Sequence, residues 1–222
     1  MSRLELPGGA TVLFTDRSHG NMSSVAGPDR ENGAATRERL RESLGLRALA
    51  RGYQVHGTAV RRVFDEAALD DERRDHADGQ ATALRDVGAI VLAADCLPVA
   101  LVGDGAVAIV HSGWRGLAAG VLEEGLAAVT ELGGSGPVRA ALGPCAGACC
   151  YEVGPEVKAA LGEADVARGL IDLRAIAARR LRAAGVASIE ETGGCTICEE
   201  RYFSFRREGE AAGRQAGVAW LS

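Results

Sequence analysis

The sequence predicts an α/β fold of the α+β type, a mixed β-sheet core with flanking helices, in a single domain over residues 1–222. Three observations lead there. Apolar runs with β character follow one another at Gly88–Ala94, Val99–Val102 and Ala106–Val110. Elsewhere strands and helices alternate irregularly, without the βαβ rhythm of a doubly wound sheet. A chain of 222 residues that is 47% hydrophobic can bury one good core, and no Pro/Gly/Ser linker or internal repeat divides it.

Taken in order, Thr11–Thr15 reads as a strand and Asp16–Asn21 as the loop after it. Ser23–Gly33 is polar, contains Pro28 and reads as a mobile segment. Ala34–Leu44 is a short amphipathic helix stopped by Gly45, with Leu40 and Leu44 on one face. Tyr53–Val55 is expected as a strand ending at His56-Gly57, and Val60–Phe64 as the next. Asp65–Asp78 is so highly charged that a solvated loop or short helix is the simplest reading. The three apolar runs follow. Leu117–Leu132 reads as one helix, Val138–Leu142 as a strand, and residues 143–154 as a Gly- and Cys-rich loop. Asp172 can cap a helix carrying Leu173, Ile176 and Leu181, with Gly185 as its stop. Val186–Ile189, Tyr202–Phe205 and Gln215–Leu221 are expected as strands, and Cys195–Glu200 as a loop.

Composition narrows the function. A net charge of −5 and a pI near 5.5, without a basic stripe, argue against nucleic acid or an anionic membrane as partner. No apolar run approaches the ~18 residues of a membrane span. The opening Met1–Pro7 has no signal-peptide core, and six cysteines without such a signal point to reduced thiols in the cytoplasm.

The chemistry gathers at residues 94–116. Cys96 lies between two strands, His111 ends a third, and His56 ends a strand upstream, both histidines close to glycine. His19 and His76 read as solvated loop residues. One thiolate and two imidazoles suit zinc, and three protein ligands leave the fourth tetrahedral position open, the catalytic pattern. Copper is the rival metal, but its usual axial Met would have to be Met1 or Met22. Without a metal, Cys96 activated by His111 makes a thiol hydrolase. The residue types alone do not separate these readings. Cys195-Thr196-Ile197-Cys198 is a lone C-x-x-C; zinc shared with Cys149 and Cys150 is conceivable, yet the expectation is pocket-lining or buried thiols, because four-Cys sites normally pair two short spacings. Arg17, Arg115, Arg206 and Arg207 flank loops or strand ends and are candidate phosphate forks.

These motifs together resemble the YfiH family, also called laccase-domain or polyphenol oxidase proteins. The matching stretches are Phe14-Thr15-Asp16-Arg17, Gln54-Val55-His56-Gly57, Ala94-Asp95-Cys96, His111-Ser112-Gly113-Trp114-Arg115-Gly116, Gly143-Pro144 with Tyr151-Glu152-Val153-Gly154, Cys195-Thr196, Phe203-Ser204-Phe205-Arg206-Arg207 and Gly213-Arg214-Gln215. The resemblance implies a single domain similar to the YfiH and cytotoxic necrotizing factor catalytic fold. It implies one zinc held by His56, Cys96 and His111. It also implies a purine nucleoside phosphorylase acting on adenosine, inosine, guanosine or methylthioadenosine with phosphate, with adenosine deamination as a second activity, in a monomer or weak homodimer. The older label of copper-dependent polyphenol oxidase fits four histidines poorly. On this reading Cys96, His111 and Asp95 are catalytic, Asp95 serving as an orienter or a general base. Arg17, Gln54, Arg115, Arg206 and Arg207 bind nucleoside or phosphate. The chain departs from the family pattern in its short Ser23–Gly33 segment and in Thr36-Arg37 where an Asn-Arg pair is common.

Overall fold

A computed structural model of the chain describes residues 2–65, 76–163, 165 and 167–222. The elements are β1 (Ser2–Leu6), β2 (Ala10–Phe14), α1 (Gly33–Ser43), β3 (Ala48–Ala50), β4 (Val60–Val63), β5 (Gly79–Thr82), β6 (Val87–Ala93), β7 (Leu97–Asp104), β8 (Ala106–Ser112), α2 (Trp114–Ala119), α3 (Val121–Glu131), β9 (Ser135–Leu142), β10 (Glu152–Val153), α4 (Pro155–Leu161), β11 (Gly169–Leu170), α5 (Leu173–Ala183), β12 (Ser188–Glu191), α6 (Phe205–Glu208) and β13 (Gln215–Leu221). They build a five-stranded sheet, β1-β2-β13-β6-β3, a six-stranded sheet, β12-β9-β7-β8-β5-β4, and the small pair β10-β11. Both large sheets mix parallel and antiparallel neighbours: β3 runs parallel to β6 and β12 to β9, whereas β13 is antiparallel to β6 and β7 to β8. The expected mixed-sheet architecture holds, with two sheets in place of one.

Side-chain alternation explains the layering. On β7, Leu97, Val99 and Leu101 join Leu117, Val121, Leu122 and Ile176 under the helices, while Ala100 and Val102 meet Val12, Phe14, Ala89 and Val91 between the sheets. On β13, Ala219 and Leu221 face that inter-sheet layer, and Ala216, Val218 and Trp220 pack with Leu40 near α1. Strands covered on both faces lose the polar half of the period-two pattern, which is why β6, β7 and β8 read as continuous apolar runs. Each fully buried Leu or Ile there contributes about 1.5–3 kcal/mol of transfer free energy. No helix of the described residues is long and apolar enough to cross a membrane.

Several expectations change. Residues 53–55 form no strand beyond a bridge from Tyr53 to His76, because the N–H groups of Val55, His56 and Gly57 donate to the Asp78 carboxylate and are lost to any ladder. Helix 117–132 is two helices, broken where Gly120 adopts φ 103°. Tyr202–Phe205 is not a strand: the Gln215 side chain takes both the N–H and the C=O of Phe203, and Ser204 caps α6 by accepting from the Arg207 N–H. The segment 23–33 is tied down, with Asn21 donating to the carbonyls of Ala26 and Pro28 and Arg37 donating to the carbonyl of Met22. Of the charged stretch 65–78, residues 66–75 lie outside the described residues, but its end is not solvated: Asp78 is fully buried. Strands β1, β3 and β5 and helix α4 carry no signal strong enough to have been expected.

Candidate metal centre

Cys96 and His111 are fifteen residues apart and meet because they sit at the open end of one hairpin. β7 and β8 pair antiparallel around Gly105, with Pro98 opposite His111 and Leu97 opposite Ser112. The residue before β7 is Cys96, so it lies across from Gly113. A Cβ on Gly113 would stand 2.9 Å from the Cys96 sulfur and 3.2 Å from His56 Cδ2, so glycine leaves the space in which the donors gather. His56 arrives on the loop between β3 and β4. Its ring lies edge-on to His111, centroids 4.9 Å apart. One donor atom from each of His56, Cys96 and His111 lies within 4.8 Å of the others. His56 is exposed, Cys96 half-buried and His111 buried, so the cluster opens on one side.

Asp78 ties the histidines together. Its carboxylate accepts from the N–H groups of Val55 (3.0 Å), His56 (2.9 Å) and Gly57 (2.7 Å), and it pairs with His111 Nδ1 at 2.9 Å. The Nδ1–H donated to Asp78 fixes the His111 tautomer and leaves Nε2 for a metal or for Cys96. Burial opposes ionisation of Asp78, but the His111 bond and the loop amides outweigh it and lower its pKa. The sequence offered no hint of this beyond a carboxylate at the edge of a charged run.

The electrostatics favour a thiolate. Burial pushes the Cys96 thiol up; the charge of His111 and hydrogen bonds from His111 and His56 bring it down to about 6. Burial pulls His111 the other way, yet the Cys96 thiolate and Asp78 raise it to about 9. His56 at φ 62° and Asp95 at φ 90° hold left-handed backbone that β-extended residues avoid, and such strain gathers where surrounding bonds over-determine a site.

The other predicted residues are placed as follows. Asp95 accepts from Thr196 Oγ1 at 2.6 Å and from the Arg206 N–H at 2.7 Å, so its carboxylate joins the Cys96 segment to the turn at Thr196 and to α6. Gln54 uses both ends of its amide on the main chain of Leu92, which makes it a clamp on the His56 loop. Arg17 and Arg207 share the Glu208 carboxylate and also donate to main-chain carbonyls, Arg17 to Glu200 and Tyr202, Arg207 to Thr196, Ile197 and Tyr202. Arg206 lies over the Tyr151 ring and donates to the Glu152 carbonyl. Arg115 is exposed and stacks on Trp114, 4.2 Å from the ring centroid. Arg214, not among the expected site residues, is held down by burial while Cys96 and Asp95 oppose that shift, so it lies in their field. Met22 is buried in the layer beside α1, with Leu13 and Leu40, where it offers no axial ligand to the cluster. His19 pairs with Asp16, and exposed His76 packs on Tyr53. A second group was not expected to converge: the sulfurs of Cys149, Cys150, Cys195 and Cys198 also lie within 4.8 Å of one another.

Known proteins share this architecture. A family described as multi-copper polyphenol oxidoreductase laccase matches residues 11–222. The chain is 38% identical to a Xylella fastidiosa protein named purine nucleoside phosphorylase, over 97% of this chain and 88% of that one. It is 34% identical to a Corynebacterium glutamicum protein also named a purine nucleoside phosphorylase, over 94% and 93%. The crystal structure of YlmD from Geobacillus stearothermophilus superposes with a TM-score of 0.86 at 28% identity, covering all of this chain and 96% of the other. A Neisseria meningitidis protein superposes with a TM-score of 0.84 at 31% identity, over 99% and 97%. A match that runs from β2 to the last residue, with full-length relatives above 30% identity, means that the chain belongs to the YfiH-type, laccase-like family.

Proposed function

We propose that this chain is a zinc-dependent purine nucleoside phosphorylase that holds the ion through His56, Cys96 and His111. The observation that carries the reading is the convergence of these three donors in front of a buried carboxylate, Asp78, in a chain whose curated relatives bear that name. The donor set fits zinc: one thiolate and two imidazoles, one imidazole oriented by a carboxylate behind it. Bound there, the ion supplies a Lewis acid with an open position. The substrates are purine nucleosides, adenosine, inosine, guanosine or methylthioadenosine, and inorganic phosphate, with adenosine deamination as a second activity.

In phosphorolysis an oxygen of phosphate bonds to ribose C1′ as the C1′–N9 bond breaks, and the base leaves with the bonding pair and gains a proton. The protein must hold an anion and stabilise the leaving purine. Arg115, Arg206 and Arg214 are the arginines best able to hold phosphate, since Arg17 and Arg207 share the one Glu208 carboxylate and spend further donors on main-chain carbonyls. Arg17 and Arg207 also hold residues 196–202, the segment that leads into α6 and Arg206. Asp95, with both oxygens engaged, positions Cys96 and Arg206 and is not a general base in this scheme. Gln54 keeps His56 in place.

The decisive experiment combines metal analysis with an assay of inosine turnover with and without phosphate. The reading expects zinc in the protein, hypoxanthine and ribose 1-phosphate in equal amounts, and no turnover without phosphate. Zinc-containing protein that releases no base from any of the four nucleosides would falsify it. A second reading is favoured by one observation: the lowered thiol of Cys96 beside the raised imidazole of His111 is the pair a thiol hydrolase uses. A hydrolase would keep its activity after chelation and lose it to iodoacetamide. Copper-dependent polyphenol oxidation, the reading in the family's description, would require copper in the purified protein and oxidation of a phenol.

A further inference from the structure

The four cysteines outside the histidine cluster come from two turns. Cys149 and Cys150 lie on the turn between β9 and β10, closed by the Cys150 and Tyr151 N–H groups donating to the Gly147 carbonyl. Cys195 and Cys198 bracket a second turn, closed by the Glu199 N–H donating to the Cys195 carbonyl. The two are docked by a bridge between Cys145 and Cys195 and by the Thr196 N–H donating to the Cys145 carbonyl at 2.9 Å. We propose that Cys149, Cys150, Cys195 and Cys198 form a second, structural metal site, a closed four-thiolate cage for zinc that staples these turns together.

Three features carry this. All four sulfurs lie within 4.8 Å of one another, and four thiolates around zinc at ~2.3 Å stand about 3.8 Å apart. The Cys198 sulfur lies 2.8 Å from that of Cys150 and 3.3 Å from that of Cys149. A disulfide can join Cys198 to only one of them and leaves the other two cysteines without a reason to converge; one ion accounts for all four. The surroundings suit thiolates as well. The Gly147 N–H donates to the Cys195 sulfur at 3.2 Å, as amides do to metal-bound sulfur. A Cβ on Gly147 would stand 3.0 Å from Cys195 Cβ, 3.3 Å from its sulfur and 3.4 Å from the Cys149 sulfur, so glycine keeps the cradle open. Signals in the sequence were weak because the second pair is Cys-Cys rather than C-x-x-C.

The site reaches the histidine cluster through the residue between its own ligands. Thr196 is fully buried and donates to Asp95, the neighbour of Cys96, and its carbonyl accepts from Arg207 at 2.7 Å. An ion holding Cys195 and Cys198 fixes the turn that fixes Asp95. It would act at a distance on the open site without touching substrate.

The test uses the full chain, purified under reducing, metal-sufficient conditions. Elemental analysis should find close to two zinc ions per chain, one per site. The double variant Cys149→Ser/Cys198→Ser should lose one and keep the ion at His56, Cys96 and His111. The variant His56→Ala/Cys96→Ser should lose one and keep the other, so failure of the phosphorylase reading leaves this inference intact. In case the cysteine variants do not fold, the unaltered protein gives an independent measurement. Iodoacetamide labelling resolved by mass spectrometry should modify Cys149, Cys150, Cys195 and Cys198 about tenfold more slowly before chelation than after it, because a metal-bound thiolate is not a free nucleophile. Zinc content unchanged in the double variant, labelling indifferent to chelator, a Cys150–Cys198 disulfide in freshly reduced protein, or iron in place of zinc would each overturn the proposal.

Discussion

The two clusters are opposites in construction. His56, Cys96 and His111 are mixed donors at the open end of a β-hairpin, with a buried carboxylate behind them and one exposed side. Cys149, Cys150, Cys195 and Cys198 offer only sulfur and are set on two surface turns, and they connect to Asp95 through Thr196. The difference teaches which feature makes a site reactive. A strand end backed by Asp78 offers three donors, one short of a tetrahedral set, whereas two facing turns offer four, enough to complete one.

The largest effect that could break this contrast is expected from Cys96→Ala, which should empty the histidine site and abolish turnover while leaving the four-cysteine labelling pattern unchanged. Zinc retained at that site, with full phosphorolysis, would show that the donors are misassigned. Asp78→Asn comes next. It keeps the shape but weakens the hold on His111 and the His56 loop, so zinc affinity at that site should fall about 10–100-fold in a competition titration. An unchanged affinity would reduce Asp78 to a loop anchor. Gly113→Ala places a methyl 2.9 Å from the Cys96 sulfur, and overpacking of that kind costs about 1–3 kcal/mol. Thermal unfolding and metal content should both report it, and a silent substitution would mean that the hairpin end yields easily.

A pH titration sharpens the contrast further. In chelated protein, alkylation of Cys96 by iodoacetamide, resolved at that residue by mass spectrometry, follows its thiolate form, and His111 holds that thiol near 6 rather than at the ordinary ~8.5. Alkylation should therefore rise with pH and reach half its maximum near pH 6; a midpoint at the ordinary value would remove the thiolate–imidazolium pair. The smallest effect belongs to Asp172→Ala. It deletes the cap that accepts from the Ala175 N–H at 3.1 Å and should cost about 1 kcal/mol in denaturant unfolding, with both metal contents intact.

Some of this was legible from residue order. β6, β7, β8 and β13 were visible because strands buried on both faces are apolar throughout, and α5 because Asp172 and Gly185 bound it. Cys96 and His111 stood out because they border strands β7 and β8, and His56 and His111 because each lies close to a glycine. Short strands such as β3 and β5 were not visible, since three or four residues carry too little pattern and Gly79-Gln80 looks like loop. Nothing in the local sequence of Arg17 or Arg207 announces Glu208 as a shared partner for both.

What the chain determines by itself is local: which segments are apolar on both faces, where glycine permits a tight return, and which side chains are chemically able to bind a metal. What only the tertiary structure decided is who meets whom. Asp78 reaches His111 across 33 positions, and Thr196 reaches Asp95 across 101. Such contacts depend on strand register and loop docking, which are set by the packing of the two sheets as a whole. No periodicity within a dozen residues encodes them, so the carboxylate behind the histidines and the meeting of four sulfurs became visible only in the folded protein.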